Sequence, residues 1–315
     1  MSPATALSSQ TVLTYIALTG ALLSGSGLLL LILTRGLHHQ LSSVWRTYRS
    51  WLVMVPLILT VVVAGRAATI LGIALLAVFA FTEFARATGL HRDRGMMAAV
   101  YVGIVAVAAS SLVRDPWLDV PGWYGLFMAL PVYVVCLILI TPIARNRVTG
   151  QLQNSALAIL GFIYLGWMLS HVGFLANSPH AYGYLLFLLL AVEGSDIAAF
   201  TAGKIFGRHK LREAISPNKT WSGALAALAF SMMLPWLLHF SFAHFGPLQL
   251  VLTGLIVGIG GQLGDLTISM IKRDIGVKDM GTLIPGHGGL LDRIDSLIFA
   301  GPLFFHMIRW FYDVY

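Results

Sequence analysis

Apolar residues run through this chain in long blocks, and polar residues collect in the short stretches between them. Blocks of membrane-spanning character lie near residues 11–34, 51–65, 67–82, 96–113, 124–143, 155–174, 182–201, 222–242, 247–271 and 294–311. A helix that crosses a bilayer needs ~20 mostly apolar residues, so the pattern predicts an all-α, polytopic membrane protein with about 9–10 transmembrane helices. The second and third blocks are short and only Arg66 and its neighbours part them, which predicts a hairpin or one kinked unit. No internal repeat or low-complexity segment interrupts the pattern. Residues 1–180 read as an N-terminal transmembrane bundle, and 181–315 as a C-terminal transmembrane region where polar chemistry concentrates.

Composition leads to the same solvent. Of the 315 residues, 57% are hydrophobic and 10% are charged, against about 25% charged in soluble domains. Lipid is therefore the main surroundings. A formal charge of +7 does not imply nucleic acid here, because no separate soluble domain exists to carry such a surface. Basic residues beside a bilayer set topology or meet anionic headgroups. The single cysteine, Cys136, lies in an apolar run (VYVVCLILI) and reads as a small buried hydrophobe. No Lys or Arg precedes Arg35, and the run from Thr11 to Thr34 exceeds a signal-peptide core, so a retained membrane helix is expected there.

Charge sets the expected orientation. With loops assigned alternately to two sides, 17 of the 20 Lys and Arg residues fall on one side, and only Arg66, Arg114 and Arg309 on the other. The rich side is cytoplasmic by the positive-inside rule, which points both termini away from the cytoplasm.

Three stretches after residue 190 carry groups that chemistry can use. In Gly258–Ile271 (GIGGQLGDLTISMI) and just beyond it, steps of three and four residues put Gln262, Asp265, Ser269 and Lys272 on one helical face. An uncompensated carboxylate at the centre of a bilayer costs ~2.5–3.5 kcal/mol. Asp265 is thus a helix-end ion pair with Lys272 or Arg273, a polar contact between helices, or a functional group. The glycines of this stretch suit close helix packing equally well. Asp274–Asp295 (DIGVKDMGTLIPGHGGLLDRID) is too rich in Gly and Pro for a helix through its middle and reads as a structured loop. Its glycine N–H groups can approach a phosphate whose charge Lys278 and His287 would meet. Asp292, Arg293 and Asp295 then open the next helix, where carboxylates suit the N-terminus. Asp265 and Asp292, on different helices, are candidates to hold Mg²⁺, which takes hard oxygen ligands and completes its shell with substrate phosphates. The plainer alternative is a capped, solvated loop.

In the third stretch, Glu193–Gly223, Glu193 and Asp196 stand at the end of an apolar helix, and Lys204, Arg208, Lys210, Arg212 and Lys219 follow. That cluster alone is equally topogenic or headgroup-binding. Ser216-Pro217-Asn218-Lys219-Thr220-Trp221 predicts a tight polar turn into a helix, with Ser216, Lys219 and Thr220 placed to donate to a triphosphate. Helix capping explains Thr220 equally well, but not Lys219.

At these residues the chain stops being generic. SMIKRDIGVKDMGTLIPGHGGLLDRID, residues 269–295, resembles the signature of the phosphatidate cytidylyltransferases (CDP-diacylglycerol synthases), with every fixed position filled. The preceding GKIFGRHKL and SPNKTWSG are similar to the family's upstream region, so the resemblance covers roughly residues 190–300. It implies transfer of CMP from CTP to phosphatidate with Mg²⁺, a second cation being left open, in the cytoplasmic leaflet of a bacterial inner membrane. Carried over by position, it implies Asp265 and Asp292 as metal ligands, and Lys219, Lys272, Arg273 and Lys278 as phosphate-binding groups. Ser216, Ser269, His287 and Arg293 would complete the pocket, which Thr220 and Asp196 also border, while Asp279 and Asp295 would orient it. The partners expected are CTP, phosphatidate and membrane lipid, with no nucleic acid and a homodimer left open. Ser222 stands where many members carry an acid or amide, and Ser195 where Asn is frequent. The helix at 11–34 is extra to the usual bundle. These departures leave room for another lipid phosphate or a polyprenol as acceptor, and a transporter is the rival of another class.

Overall fold

The computed structural model describes residues 1–36, 42–281 and 289–312. Every apolar block within them is helical. After the short α1 (Pro3–Ser8) come α2 (Gln10–Leu31), α3 (Ser42–Val63), α4 (Arg66–Ala87), α5 (Arg94–Leu112) and α6 (Tyr124–Ala144). A continuous rod, Gln151–Asn177, is built of α7 (Gln151–Leu160), a π-helical stretch and α8 (Leu169–Phe174). Next are α9 (Ala181–Phe206) and α10 (Trp221–Leu237). A second rod follows, α11 (Pro247–Leu255) and α12 (Gly261–Asp274) joined by a π-helical turn, and then α13 (Leu291–Phe311). Among the described residues, eight helical units are long and apolar enough to cross a membrane. The shorter α10 and the more charged α13 bring the described helices to the ten blocks read from the sequence. The chain is an integral membrane protein.

Three details differ from the pattern. The second and third blocks looked short, but α3 and α4 are 22 residues each. Polar residues such as Arg46 and Arg49 continue α3 beyond its apolar part, which hydropathy alone does not register. The two helices form a hairpin closed at Ala64–Gly65, where Gly65 adopts φ +106°, a conformation that favours glycine. Ser216–Thr220 is a strand and not a turn. It forms β2, antiparallel to β1 (Lys210–Arg212), with Lys210 opposite Thr220 and Arg212 opposite Ser216. The chain reverses at Glu213–Ile215, and Pro217 is tolerated because this small ribbon has open edges. Cys136, expected to be buried, is exposed on the outer face of α6. On a lipid-facing helix an apolar residue gains nothing by turning inward.

The core is formed where α13 meets α4, α8, α9 and α12. Ile294, Leu297, Ile298, Phe304, Phe305 and Ile308 of α13 are buried there. Lipid tails are as apolar as these side chains, so contact between helices depends on close fit and small residues. Gly264 of α12 is one such residue. A Cβ there would overlap the backbone carbonyl of Asp295, so glycine lets α12 and α13 approach and brings their polar residues to one place.

The two ends of the bundle differ in charge. Arg66 donates to the carbonyls of Ser111 and Leu112, at 2.9 and 2.8 Å, and to Asn177 Oδ1. Arg309 lies 3.8 Å from the ring of Tyr124, where α6 begins. Both therefore sit at the end that carries the Arg114 loop, as the loop assignment requires.

Candidate functional site at the basic end

The opposite end gathers the polar stretches. β2 leads Lys219 and Thr220 into α10, and the Thr220 side chain caps that helix by accepting from Gly223 N at 3.2 Å. The same hydroxyl lies 3.1 Å from Ser222 Oγ. Lys219 reaches across to α12, where its Nζ is 2.6 Å from Asp265 Oδ2. Ser269, one turn further along α12, donates to Asp265 Oδ1 at 3.1 Å. Asp265 therefore has one oxygen paired with the Lys219 ammonium and the other bonded to the Ser269 hydroxyl.

A second pair lies beside it. Lys272 Nζ donates to Asp292 Oδ1 at 2.7 Å. Asp292 Oδ2 accepts from the backbone N–H groups of Met280 at 3.1 Å and Gly289 at 3.0 Å. Both partners are largely buried. Asp292 thus ties the end of α12 to the loop neck and to the first turn of α13. Its placement early in α13 agrees with the dipole argument, although its bonds go to the loop and to Lys272.

Asp196 approaches from α9, and Asp295 from α13. Ser296 Oγ donates to Asp196 Oδ2 at 3.4 Å, and Ser296 N to Asp295 Oδ1 at 2.7 Å. Asp295 is buried, and it faces Asp265, Asp196 and Lys219. Arg293 lies within electrostatic reach of Glu193 and Asp196, and its Nε is buried without a hydrogen-bond partner. One lysine and one guanidinium therefore stand among four carboxylates contributed by three helices.

The remaining expected residues form the rim. Arg273 is exposed and fastens the β-hairpin to α12, its Nε donating to the Ile215 carbonyl at 3.3 Å. Ser216 begins β2 and is half-buried, while Lys278 and Asp279 are exposed on the loop. His287 lies outside the described residues.

Asp265 and Asp292, the pair read as joint metal ligands, have separate partners: Lys219 holds one and Lys272 the other. Among the described residues no group of three or more His, Cys, Asp or Glu side chains is arranged to hold a metal ion. Carboxylate oxygens are the donor type that Mg²⁺ takes. Asp265 faces Asp196 and Asp295, which supplies hard oxygens, and substrate phosphates commonly complete such a shell. Asp292 is the poorer donor because three N–H groups already occupy its oxygens.

Among the described residues, two of the 1–180 bundle reach this site, and motif reading missed their part in it. Tyr164 donates to the Gly264 carbonyl at 3.4 Å. Glu83 of α4 accepts from Leu290 N at 3.0 Å and Leu291 N at 2.9 Å. One signal existed for Glu83: it is the first acidic residue in the chain and stands directly at the end of the apolar block 67–82.

Comparison with known proteins bears on the same region. A sequence model described as the cytidylyltransferase family matches residues 45–311. Similar proteins include the uncharacterised protein YnbB of Escherichia coli (strain K12), 42% identical over 167 residues, which is 51% of this chain and 56% of the relative. The phosphatidate cytidylyltransferase of Staphylococcus haemolyticus (strain JCSC1435) is 38% identical over 164 residues, 52% of this chain and 62% of the relative. That of Staphylococcus epidermidis (strain ATCC 12228 / FDA PCI 1200) is 32% identical over 204 residues, 64% of this chain and 76% of the relative. The matched part is thus between half and two thirds of the length of the first two relatives.

Proposed function

The chain belongs to the cytidylyltransferase family, and from that premise we propose that it transfers CMP from CTP to phosphatidate. The products would be CDP-diacylglycerol and pyrophosphate. The observation that carries the reading is the pair of lysine–aspartate bridges at the basic end of the bundle: Lys272–Asp292 lies within the 269–295 signature, and Lys219–Asp265 joins the upstream hairpin to α12. Relatives that bear the name of this activity support it.

The chemistry needs little beyond what these residues supply. A phosphatidate oxygen is already an anionic nucleophile. It forms a bond to the α-phosphorus of CTP while the bond from that phosphorus to the α–β bridging oxygen breaks, and pyrophosphate leaves with the electron pair. The main requirements are alignment of two anions and neutralisation of the charge that moves to the leaving group. Lys219 and Lys272 are the cations poised for this, each held at a fixed position by a carboxylate. Arg273, Lys278 and Arg293 add positive charge at the rim and floor. Mg²⁺ bound through Asp265 and its acidic neighbours would supply further charge neutralisation at the phosphates. Phosphatidate lies at the bilayer surface, which accounts for a site at helix ends. The charge asymmetry of the loops supports an inner-membrane protein with this end in the cytoplasm, where CTP is available.

Purified protein given labelled CTP, Mg²⁺ and phosphatidate in mixed micelles should form CDP-diacylglycerol, and Asp265→Asn should lower the rate by at least ~100-fold. No product across several acyl chains and divalent metals would overturn the assignment. Ser222, bonded here to the capping Thr220, departs from the family's usual residue, so the same assay should offer a polyprenyl phosphate. Turnover of that acceptor alone would move the reaction to another lipid.

A further inference from the structure

Glu83 belongs to the N-terminal bundle, far in sequence from the 269–295 signature, yet its buried carboxylate ends on the backbone that opens α13. Its Oε1 accepts from Leu290 N and its Oε2 from Leu291 N. The first N–H groups of a helix have no partner within it, and no side chain of α13's own N-cap, Leu290, can serve them. Just outside these bonds, Asp292 Oδ2 takes the N–H groups of Met280 and Gly289. Four backbone donors at the two ends of the signature loop therefore converge on two carboxylates. The fit is close. A Cβ at Gly281 would overlap the Glu83 carboxylate, and one at Gly289 would lie 2.7 Å from Glu83 Oε2.

Building on the transferase reading above, we propose that Glu83 is a positioning residue for the reaction. It clasps Gly281 and residues 289–291 together where α13 opens, thereby setting where Asp292 stands and, through Asp292, where Lys272 presents its ammonium group. The bundle outside the signature thus supplies a part of the site without touching substrate. A displacement of about 1 Å in such a group costs ~100-fold in rate, so the clasp governs turnover more than binding.

The test uses the full chain in detergent with Glu83→Gln and Gly281→Ala. The first keeps the size of the side chain but turns an NH₂ group toward a backbone N–H. The second leaves the carboxylate intact and crowds it from the loop. Each should lower kcat for CDP-diacylglycerol formation by ~100-fold with KM for CTP changed less than about 3-fold, and the double variant should be no worse than the poorer single. Hydrogen exchange, which does not depend on the reaction, should quicken at residues 289–292 in both variants and stay unchanged in α5 and α6. Wild-type kcat in either folded variant, or faster exchange spread evenly over the molecule, would overturn the proposal. If the wild-type chain forms no CDP-diacylglycerol, the transferase reading fails by itself. The exchange result then decides the clasp alone, local quickening supporting it and uniform quickening ending it.

Discussion

At the scale of single residues, the site depends on charges that are paired before any substrate arrives. Lys272 and Asp292 are buried together, and removing one member of such a pair strands the other, at a cost of about 3–5 kcal/mol. Lys272→Met should therefore destabilise the protein by roughly 3 kcal/mol, and adding Asp292→Asn should restore part of that. Denaturant unfolding in mixed micelles measures both. A histidine at the far end provides a second check. Burial, with His180 and His239 nearby, lowers the His244 imidazole from its ordinary value to about 4. The ring stacks on His180 at 4.1 Å and meets the Tyr184 hydroxyl at 2.7 Å. Unfolded, it binds a proton as pH falls below about 6.5, whereas folded it stays neutral until about 4. Stability present above that range should thus drain away as pH falls through it. The Tm in detergent should drop from pH 7 to about pH 4.5, and His244→Gln should flatten the slope.

At the scale of elements, the decisive contact is the approach of α12 to α13. Gly264 permits it, since any side chain there meets the Asp295 backbone. Gly264→Ala should push the helices apart, separate Lys272 from Asp292 and reduce turnover by ~100-fold while membrane insertion is kept. Transferase assay and a membrane-fraction blot read the two outcomes. The sequence showed the glycines of 258–264 as suited to close helix packing but not which helix they meet, because the crossing partner is distant in the chain. The β-hairpin was less legible. Three residues of β1 and five of β2 are too few for a period to appear, and Pro217 argued for a turn. The pairing of Lys210 with Thr220 and of Arg212 with Ser216 identifies the strands.

At the scale of the molecule, the bundle is a charge-sorted object. Arg66, Arg114 and Arg309 belong to one end and the site to the other, which agrees with the loop count and with the proposed orientation. In a Cys136→Ser background, Leu118→Cys should react with a membrane-impermeant thiol reagent in intact cells. Asn218→Cys should react only after permeabilisation, since it lies on the hairpin beside Lys219. The reverse labelling would invert the orientation and remove the site from the CTP pool.

The Ser269–Asp295 signature, the ten helical blocks and the charge asymmetry are all local in sequence, and each is legible along the chain itself. Hydropathy needs only about twenty neighbours in a row, and a motif carries its spacing with it. The pairing of charges was not legible. Asp265 was expected to pair with Lys272 or Arg273 close by, or to share a metal with Asp292, yet it takes Lys219 from another element while Lys272 turns to Asp292. Which lysine meets which carboxylate depends on how three helices and a hairpin cross, and no spacing along the chain encodes that. Glu83 makes the same point over a longer distance. Its chemistry was visible as one acid at the end of an apolar block, but the amides it serves lie 207 and 208 residues away, and only the folded bundle brings them together.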